Sequence, residues 1–331
     1  LGISTGYLSM LFKAYTGASI VRYVNAARVE KLRELLGMDT FIACDPNVTV
    51  VETVETDEMR RLHFTMETEP GYFTHCHLCT PRTFAGKLPL CLCLQGHSTG
   101  AHISYGEPIF PKDEKSIRNG DRDFAVRAVK EGYAALCLEQ RCFGACGGHE
   151  GGDERGCKLA AHTALLLGRT IIGERVWDIS RVVDVVMDRF ADIITMENSI
   201  LMGNSGGGTA TYYAACLEHR FSLYMPSCAV CTFRDSIIAM IHCACNYVPG
   251  VLNYFDMGDM AAMIAPSKLL VVCGKEDPIF PLHGVEESFE LIRMHYEAAG
   301  VPDFCGLVIG DEAHRFYADP AWEAAKKLLA L

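Results

Sequence analysis

The sequence predicts an α/β fold, a mostly parallel eight-stranded sheet flanked by helices and preceded by a short helical segment. From about residue 60 onward, short apolar runs alternate with longer stretches of helical periodicity, the order that crossover helices impose on a parallel sheet. The chain has 331 residues, of which 50% are hydrophobic and 21% charged. It can therefore bury a large core, and a disordered or collagen-like protein is excluded.

The charge balance and the cysteines exclude further classes. Thirty Lys and Arg face 41 Asp and Glu, so a net charge of −11 argues against a nucleic-acid partner for the whole molecule. The sixteen cysteines are spread along the chain, many in apolar runs, so we expect reduced, buried thiols. The uncharged window 236–255 contains Pro and Gly, and we expect no membrane span. No signal-peptide pattern is visible, and we expect a cytoplasmic protein.

Residues 1–37 are predicted to form a separate helical segment. Apolar residues at helical spacing predict two helices, with a break at Gly17 and an end at Gly37. The stretch 3–36 resembles part of the DNA-binding domain of AraC-type transcription regulators, which implies a recognition helix with Tyr7 and Lys13 near DNA. No second helix-turn-helix follows it in the sequence. This favours the alternative, a remnant that packs on the main domain or on a neighbouring subunit, and we do not expect DNA binding.

The main domain is predicted to span residues 38–331. Its eight strands are expected near residues 60–68, 72–80, 88–94, 133–139, 199–203, 223–230, 268–273 and 304–309. Its helices are expected near residues 122–131, 174–190, 207–218, 284–299 and 320–330. The first two strands have no helix between them, which predicts an antiparallel hairpin at one sheet edge. The segment 231–263, rich in Met and aromatic residues, is either ordinary core or a cap that lines a pocket.

The pattern Gly-x-Ser-x-Gly, typical of a nucleophilic serine, occurs at Ser4, Ser98 and Ser205. The chemistry requires a strand, a sharp strained turn and then a helix. Ser4 has no strand before it and is typical of a helix N-cap. Ser98 follows a strand, but a loop rich in Gly and Pro comes after it. Ser205 alone follows a strand and leads into a helix of small residues, so it is the candidate nucleophile.

A nucleophilic serine needs a base and an acid that orients the base. Asp277 directly follows the strand near 268–273, and His314 follows the strand near 304–309. Both residues should therefore lie at the carboxyl edge of the sheet, where sites of parallel sheets occur. Ser, then Asp, then His is the chain order of hydrolases with this kind of sheet.

Other residues compete for these two roles. Glu276 is adjacent to Asp277, and Asp235 would follow the sixth predicted strand, a position that also supplies acids in some hydrolases. His283 competes with His314 but starts a predicted helix, where a surface position is expected.

Five motifs together resemble the α/β-hydrolase superfamily. They are GNSGGG (203–208), GKEDPIFP (274–281), DEAHRFY (311–317), LCLQGHSTG (92–100) and LEQRCFG (138–144). They are most similar to the branch of acetyl xylan esterases, cephalosporin-C deacetylases and dienelactone hydrolases, over about residues 40–331. The resemblance implies that Ser205 is the nucleophile, His314 the general base and then acid, and Asp277 the residue that fixes the imidazole tautomer.

The same resemblance implies an oxyanion hole formed by the backbone N–H groups of His97 and Gly206. The histidine stands two positions away from its place in the family's His-Gly-X motif, so the N–H of Ser98 is an alternative donor. Glu139 and Arg141 follow the fourth predicted strand and are candidates for bracing the site.

Two cysteine patterns point to other chemistry. His75, His77 and Cys79 would share one face of a strand while Cys76 points away, and no second cluster completes a zinc site. The pair Cys228-x-x-Cys231 lacks the surroundings of a redox motif. We therefore expect neither metal nor cofactor.

The function that the sequence predicts is hydrolysis of small carboxylic esters, such as acetyl esters of carbohydrates, through an acyl-enzyme. A lactone or peptide hydrolase is an alternative. Another is a ligand-sensing hydrolase-fold domain attached to a DNA-binding element. The expected partner is a small-molecule ester, and whether the chain forms a homo-oligomer is left open.

Overall fold

The computed structural model describes residues 4–147 and 154–331, and in them it contains one mixed sheet of nine strands. The strands are β1 (Thr49–Glu55), β2 (Met59–Glu69), β3 (Tyr72–Pro81), β4 (Leu88–Leu94), β5 (Ala134–Leu138), β6 (Ile194–Asn204), β7 (Leu223–Ser227), β8 (Lys268–Gly274) and β9 (Cys305–Gly310). Their spatial order is β1-β2-β3-β5-β4-β6-β7-β8-β9.

The helices fall between or around these strands. They are α1 (Thr5–Thr16), α2 (Ile20–Leu36), α3 (Asp113–Gly120), α4 (Phe124–Lys130), α5 (Glu154–Leu166), α6 (Ile171–Arg189), α7 (Gly206–Ala215), α8 (Met257–Ile264), α9 (Leu282–Ala298) and α10 (Ala318–Leu329). In the described residues, no helix is both long enough and apolar enough to cross a membrane.

The sheet has an antiparallel edge and a parallel body. Strands β1, β2 and β3 form an antiparallel meander, and β3 pairs antiparallel with β5. All pairs from β5 through β4, β6, β7 and β8 to β9 are parallel. The eight predicted strands are all present, and the predicted edge hairpin is confirmed. The ninth strand, β1, is missing from the prediction because its side chains are exposed on both faces and give no burial pattern.

Two apolar layers cover the sheet. One contains buried residues of α2, α6, α7, α8 and α9, and the other contains buried residues of α4 and α10. A parallel strand covered on both faces must be apolar throughout, which explains runs such as LPLCLCL in β4. The layers leave the carboxyl edge of the parallel strands open, where loops can form a site.

All sixteen cysteines lie in the described part of the chain, and none forms a disulfide. Several occupy the central strands, among them Cys93 in β4 and Cys137 in β5, which are almost completely buried. Burial raises the pKa of both thiols well above the ordinary value, because a thiolate would lose its hydration there. These thiols act as small apolar side chains of the core.

The first two helices differ in how they contact the domain. Ser4 caps α1, as expected, by accepting a hydrogen bond from the Tyr7 N–H, and α1 ends at Gly17 with φ +76°. None of the residues of α1 is buried. In contrast, α2 buries Leu32 and Leu36 in the core layer that also contains α6 and α8. The last turn of α2 is therefore part of the domain core, whereas α1 lies on the surface.

We predict that Leu36→Ala lowers the free energy of unfolding by about 2–5 kcal/mol, because it leaves a cavity in the core layer. The matched change Leu8→Ala in α1 should cost less than about 0.5 kcal/mol, since Leu8 is 49% exposed. Urea unfolding followed by circular dichroism measures both values. Equal effects of the two changes would contradict a docked α2.

Candidate active site

Ser205 lies at the sharp turn between β6 and α7. Its backbone has φ +55° and ψ −124°, a strained conformation for a residue with a side chain. The turn is held by a hydrogen bond of 2.8 Å from the Ser205 N–H to the carbonyl of Ser227, at the end of the neighbouring strand β7. Ser205 is partly exposed and lies at the carboxyl end of β6.

Two glycines allow the helix after this turn to approach the sheet. A Cβ atom on Gly207 would lie 2.1 Å from the carbonyl oxygen of Leu94 in β4. A Cβ atom on Gly203 would lie 2.5 Å from the carbonyl carbon of Gly207. Both distances are below van der Waals contact, so only glycine fits. The small residues of GNSGGG thus bring the N-terminus of α7 against the ends of β4 and β6.

Asp277 and His314 form a hydrogen-bonded pair at the same edge. Asp277 follows β8 and is buried, and its Oδ2 lies 2.8 Å from Nδ1 of His314, which follows β9. The other carboxylate oxygen accepts the N–H groups of Ile279 (2.8 Å) and Phe280 (3.2 Å). The carboxylate is therefore fixed, and Nε2 of His314 is left to face a substrate or nucleophile.

The ionised form of Asp277 is favoured at this position. Burial raises the pKa of the carboxyl, but the hydrogen bond and charge of His314 and the two backbone N–H groups lower it by more. The net pKa lies below the ordinary value for an aspartate, so Asp277 is a carboxylate at neutral pH and can orient the imidazole.

The serine and the Asp–His pair are adjacent through the end of β7. Cys228 follows Ser227, and its sulfur lies within 4.8 Å of the ligand-type atoms of both Asp277 and His314. In the described residues, the Ser205 hydroxyl makes no hydrogen bond to His314. Such bonds are often long in free enzymes and shorten when substrate binds. The triad assignment therefore stays a prediction. Its contact between Asp277 and His314 is present in the structure.

The competing residues lie elsewhere. The Asp235 carboxylate accepts hydrogen bonds from Thr232 (2.6 Å) and Arg234 (2.7 Å), not from His314. The His283 side chain is 70% exposed and lies 3.6 Å from Asp235. Glu276 is exposed on the loop. The structure brings none of these three residues to the Asp277–His314 pair.

The loop after β4 lies directly against the serine turn. A Cβ atom on Gly96 would lie 2.8 Å from Cβ of Ser205 and 3.2 Å from the N atom of Gly206. The His97 N–H has no acceptor in the described residues, and the N–H of Gly206, the first residue of α7, has no acceptor within its helix. The hydroxyl of Ser98 is buried and also unpaired in this part of the chain.

The His97 side chain points away from solvent toward the segment between β7 and β8. Its Nε2 lies 3.4 Å from the sulfur of Cys245, and its ring packs against Phe143 at 4.8 Å between centroids. The same ring lies beside Gly206, where a Cβ atom would be 3.1 Å from Nδ1. The His97 ring is thus fixed beside the first turn of α7.

Residues of the 231–263 segment line this edge, although the sequence did not single them out. Asn246 contacts Nδ1 of His242 at 3.2 Å and accepts a hydrogen bond from Thr209 of α7 at 3.4 Å. The His242 ring packs against Phe280, which in turn stacks on the His314 ring with 6.0 Å between centroids. Only the composition of the segment pointed to this region.

Glu139 and Arg141 both lie in the loop that follows β5, but they have different roles. The buried Glu139 carboxylate accepts the N–H groups of Ala101 (2.9 Å) and Ala145 (3.4 Å), and so joins the loops after β4 and β5. Arg141 instead pairs with Asp178 of α6 through two hydrogen bonds of 2.8 Å each. Glu139 supports the loop after β4, whereas Arg141 attaches the loop after β5 to α6.

The structure also places the two cysteine patterns that the sequence analysis considered, at residues 75–79 and 228–231. His75 and His77 stack with His63 along an open cavity of about 630 Å³, and no ligand group of metal-site geometry forms there in the described residues. Burial raises the pKa of the Cys231 thiol to about 12 and that of Cys228 still higher. Thiols with such pKa values are poor nucleophiles at neutral pH.

Comparisons with known proteins support the fold. No family model matches the sequence, and no curated protein matches it. Solved structures do: a candidate acetyl xylan esterase from Bacteroides fragilis has a TM-score of 0.72 at 17% identity, covering 87% of this chain and 75% of that protein. Acetyl xylan esterase 1 from Thermoanaerobacterium sp. JW/SL YS485 has a TM-score of 0.60 at 17% identity, covering 91% and 93%. A glucuronoyl esterase from Solibacter usitatus has a TM-score of 0.63 at 16% identity, covering 90% and 91%. The chain has the α/β-hydrolase fold.

The buried carboxyl group of Glu139 should make the free energy of unfolding depend on pH. Burial raises its pKa to about 7, only partly offset by the N–H groups of Ala101 and Ala145. In the unfolded chain the pKa is about 4.3. The folded state therefore binds the proton more tightly, and this contribution to stability is lost as pH rises from about 4.5 through about 7.

Glu139→Gln removes the ionisation and keeps an acceptor oxygen. Relative to this variant, the wild-type protein should lose roughly 3 kcal/mol of unfolding free energy between pH 4.5 and pH 8. Urea unfolding midpoints at several pH values measure the difference. Parallel curves for the two proteins would show that the Glu139 pKa is not raised.

Proposed function

We propose that the protein is a serine hydrolase that cleaves small carboxylic esters of carbohydrates, acetyl esters first among them. One observation carries the proposal: Ser205 occupies a strained turn at the same sheet edge as the buried Asp277–His314 pair. Such a turn costs free energy, and a serine that acts as the nucleophile for the oriented imidazole at this edge would give that strain a catalytic use.

In the proposed mechanism, Oγ of Ser205 attacks the ester carbonyl carbon while Nε2 of His314 takes its proton. The N–H groups of His97 and Gly206, which lack acceptors in the described residues, donate to the oxyanion of the tetrahedral intermediate. The intermediate collapses, the C–O bond to the alcohol breaks, and His314 returns the proton to the departing oxygen. Water then releases the acid from Ser205 by the same steps.

A small acyl group suits the space beside the oxyanion loop. A Cβ atom on Gly206 would lie 3.4 Å from Cζ of Phe143, and Cys245 lies against His97 on the same side. Both Phe143 and Cys245 are almost completely buried. These side chains limit the length of an acyl chain next to the oxyanion hole. The names of the structural neighbours, acetyl xylan esterase and glucuronoyl esterase, support carbohydrate esters as the substrate class.

For the first two helices, with their resemblance to AraC-type regulators, we propose a packing role and no DNA reading. The last turn of α2 contributes Leu32 and Leu36 to the core, and Lys31 lies 5.0 Å over the ring of Tyr254. These contacts attach α2 to the hydrolase domain. Binding of duplex DNA by the purified protein, with a steep salt dependence, would contradict this role.

The first test is a panel of nitrophenyl esters from acetyl to octanoyl, together with acetylated oligosaccharides. We expect kcat/KM to be highest for the acetyl esters and to fall with chain length. A fluorophosphonate probe should label Ser205 covalently, as peptide mass spectrometry would show. If the probe labels no serine, the enzyme proposal fails, and if long acyl chains react fastest, the acetyl assignment fails.

The second test separates the roles within the triad. Ser205→Ala and His314→Ala should each lower kcat by about 10⁴ to 10⁶, and the double variant should be about as slow as either single one. Asp277→Asn should cost on the order of 10⁴, because an amide stabilises the wrong imidazole tautomer.

Two matched controls accompany these variants. Asp235→Asn changes the competing acid, and Ser4→Ala changes a serine with the same local motif at the start of α1. Both should keep kcat within about threefold of the wild-type value, the range expected away from the site. If Asp235→Asn lowered kcat strongly and Asp277→Asn lowered it only slightly, the acid of the triad would be Asp235, in the segment after β7.

A further inference from the structure

A cluster of three cysteines and one histidine lies beside the serine turn. It contains His97, Cys157, Cys243 and Cys245, whose ligand atoms all lie within 4.8 Å of one another. The Cys243 and Cys157 sulfurs are 3.5 Å apart, and the Cys245 sulfur is 3.4 Å from Nε2 of His97. All three thiols are free. We propose that these four residues bind one Zn²⁺ ion.

The distances within the cluster match a tetrahedral zinc site. Bonds of about 2.3 Å to sulfur and about 2.0–2.1 Å to nitrogen place two sulfurs about 3.8 Å apart, and a sulfur and a nitrogen about 3.5–3.6 Å apart, around a tetrahedral ion. The sulfur–sulfur separation of 3.5 Å and the sulfur–nitrogen separation of 3.4 Å are each shorter than these values by no more than about 0.3 Å. Three cysteines and one histidine are a common ligand set of structural zinc, and the softness of thiolate selects zinc over magnesium or calcium.

A buried arginine beside the cluster supports an anionic centre. The Arg175 side chain is 1% exposed, and its Nη2 donates to the Cys157 sulfur at 3.3 Å and to the Arg141 carbonyl at 3.0 Å. The guanidinium also lies 4.1 Å over the Phe143 ring. Within the described residues, no carboxylate forms a salt bridge with it.

A buried cation requires a compensating negative charge. Three neutral thiols and an imidazole supply none. Three thiolates and one Zn²⁺ carry a net charge of −1, which the Arg175 guanidinium balances. Among the described residues the metal centre would be the one anionic partner of Arg175, and Arg175 would in turn orient the Cys157 ligand from outside the site.

The ligands come from three separate segments. His97 belongs to the loop after β4, Cys157 lies in α5, and Cys243 and Cys245 lie between β7 and β8. A metal bound to all of them holds the oxyanion loop and the 242–246 turn against each other. Because the four protein ligands fill a tetrahedral shell, the ion has no open position for water or substrate. Its role is to position the His97 loop.

The test uses the whole chain, purified under reducing conditions without chelator. Elemental analysis should find one zinc per chain. Cys243→Ser, which changes a partly exposed ligand, and Cys245→Ser should each reduce the zinc content to well below half. Two control variants should keep one zinc per chain. Cys142→Ser changes a neighbouring cysteine outside the ligand set, and Cys305→Ser changes a distant cysteine. Circular dichroism checks that each variant is folded.

Cobalt gives an independent reading of the coordination. Replacing zinc by Co²⁺ in the wild-type protein should produce the intense visible absorption of tetrahedral cobalt and sulfur-to-metal charge-transfer bands in the near ultraviolet. The charge-transfer intensity should fall in Cys243→Ser and remain unchanged in Cys142→Ser.

The expected effect of the zinc ion on the rate of ester hydrolysis rests on the proposed function. Removing the metal should lower kcat for an acetyl ester about ten- to a hundredfold, the size of effect seen when supporting contacts of a site are lost, with a smaller change in KM. Adding Zn²⁺ back should restore kcat. An inactive wild-type protein that still binds one zinc would defeat the esterase proposal and leave the zinc site intact.

Three results would overturn the zinc site. One is a metal content near zero in protein expressed with added zinc. Another is a disulfide between Cys157 and Cys243, found by peptide mapping of protein that was expressed with added zinc and purified without reductant. The third is loss of zinc in Cys142→Ser with retention in Cys243→Ser, which would show that the ligand set is wrong.

Discussion

The close contact between the first turn of α7 and the ends of β4 and β6 is the constraint on which the rest of the site depends. The backbones approach so closely that Gly203 and Gly207 leave no room for a Cβ atom. That contact forces the chain to reverse within one residue, and Ser205 takes the strained conformation. It also brings the N-terminus of α7 beside the loop after β4, where Gly96 lies against Ser205 and the N atom of Gly206.

Charges buried behind the site join its loops to the helical layer. The Arg141 side chain pairs with Asp178 of α6, while the Arg141 carbonyl accepts hydrogen bonds from Arg175 of the same helix. The loop after β5 is therefore bound to α6 at two points. Removing one partner would leave an unpaired buried charge, which costs several kcal/mol in comparable networks. Arg175 extends this network to the cysteine and histidine cluster, which joins α6 to the loop after β4 that carries His97.

The sequence predicted the elements whose burial pattern is regular, and missed those whose pattern is not. Apolar runs such as β4 and the amphipathic α6 are clear, whereas β1 is exposed on both faces and α8 is a short apolar helix inside a segment without a regular pattern. Ser205, Asp277 and His314 could be proposed because each lies in the turn or loop that follows a strand, and parallel strands bring their carboxyl ends together. The His97 cluster could not, because its ligands come from segments far apart in sequence and only the tertiary fold joins them.

The buried thiols of the central strands can be used to measure the local stability of the sheet. Cys93 in β4 and Cys137 in β5 are buried and have raised pKa values, so a thiol reagent cannot reach them or find a thiolate in the closed sheet. Cys44 and Cys305, by contrast, are partly exposed near the surface. When opening is fast relative to labelling, the labelling rate of each buried thiol reports the free energy needed to open its strand. Alkylation followed residue by residue would therefore map how the sheet separates, with no cysteine added to the chain by mutation.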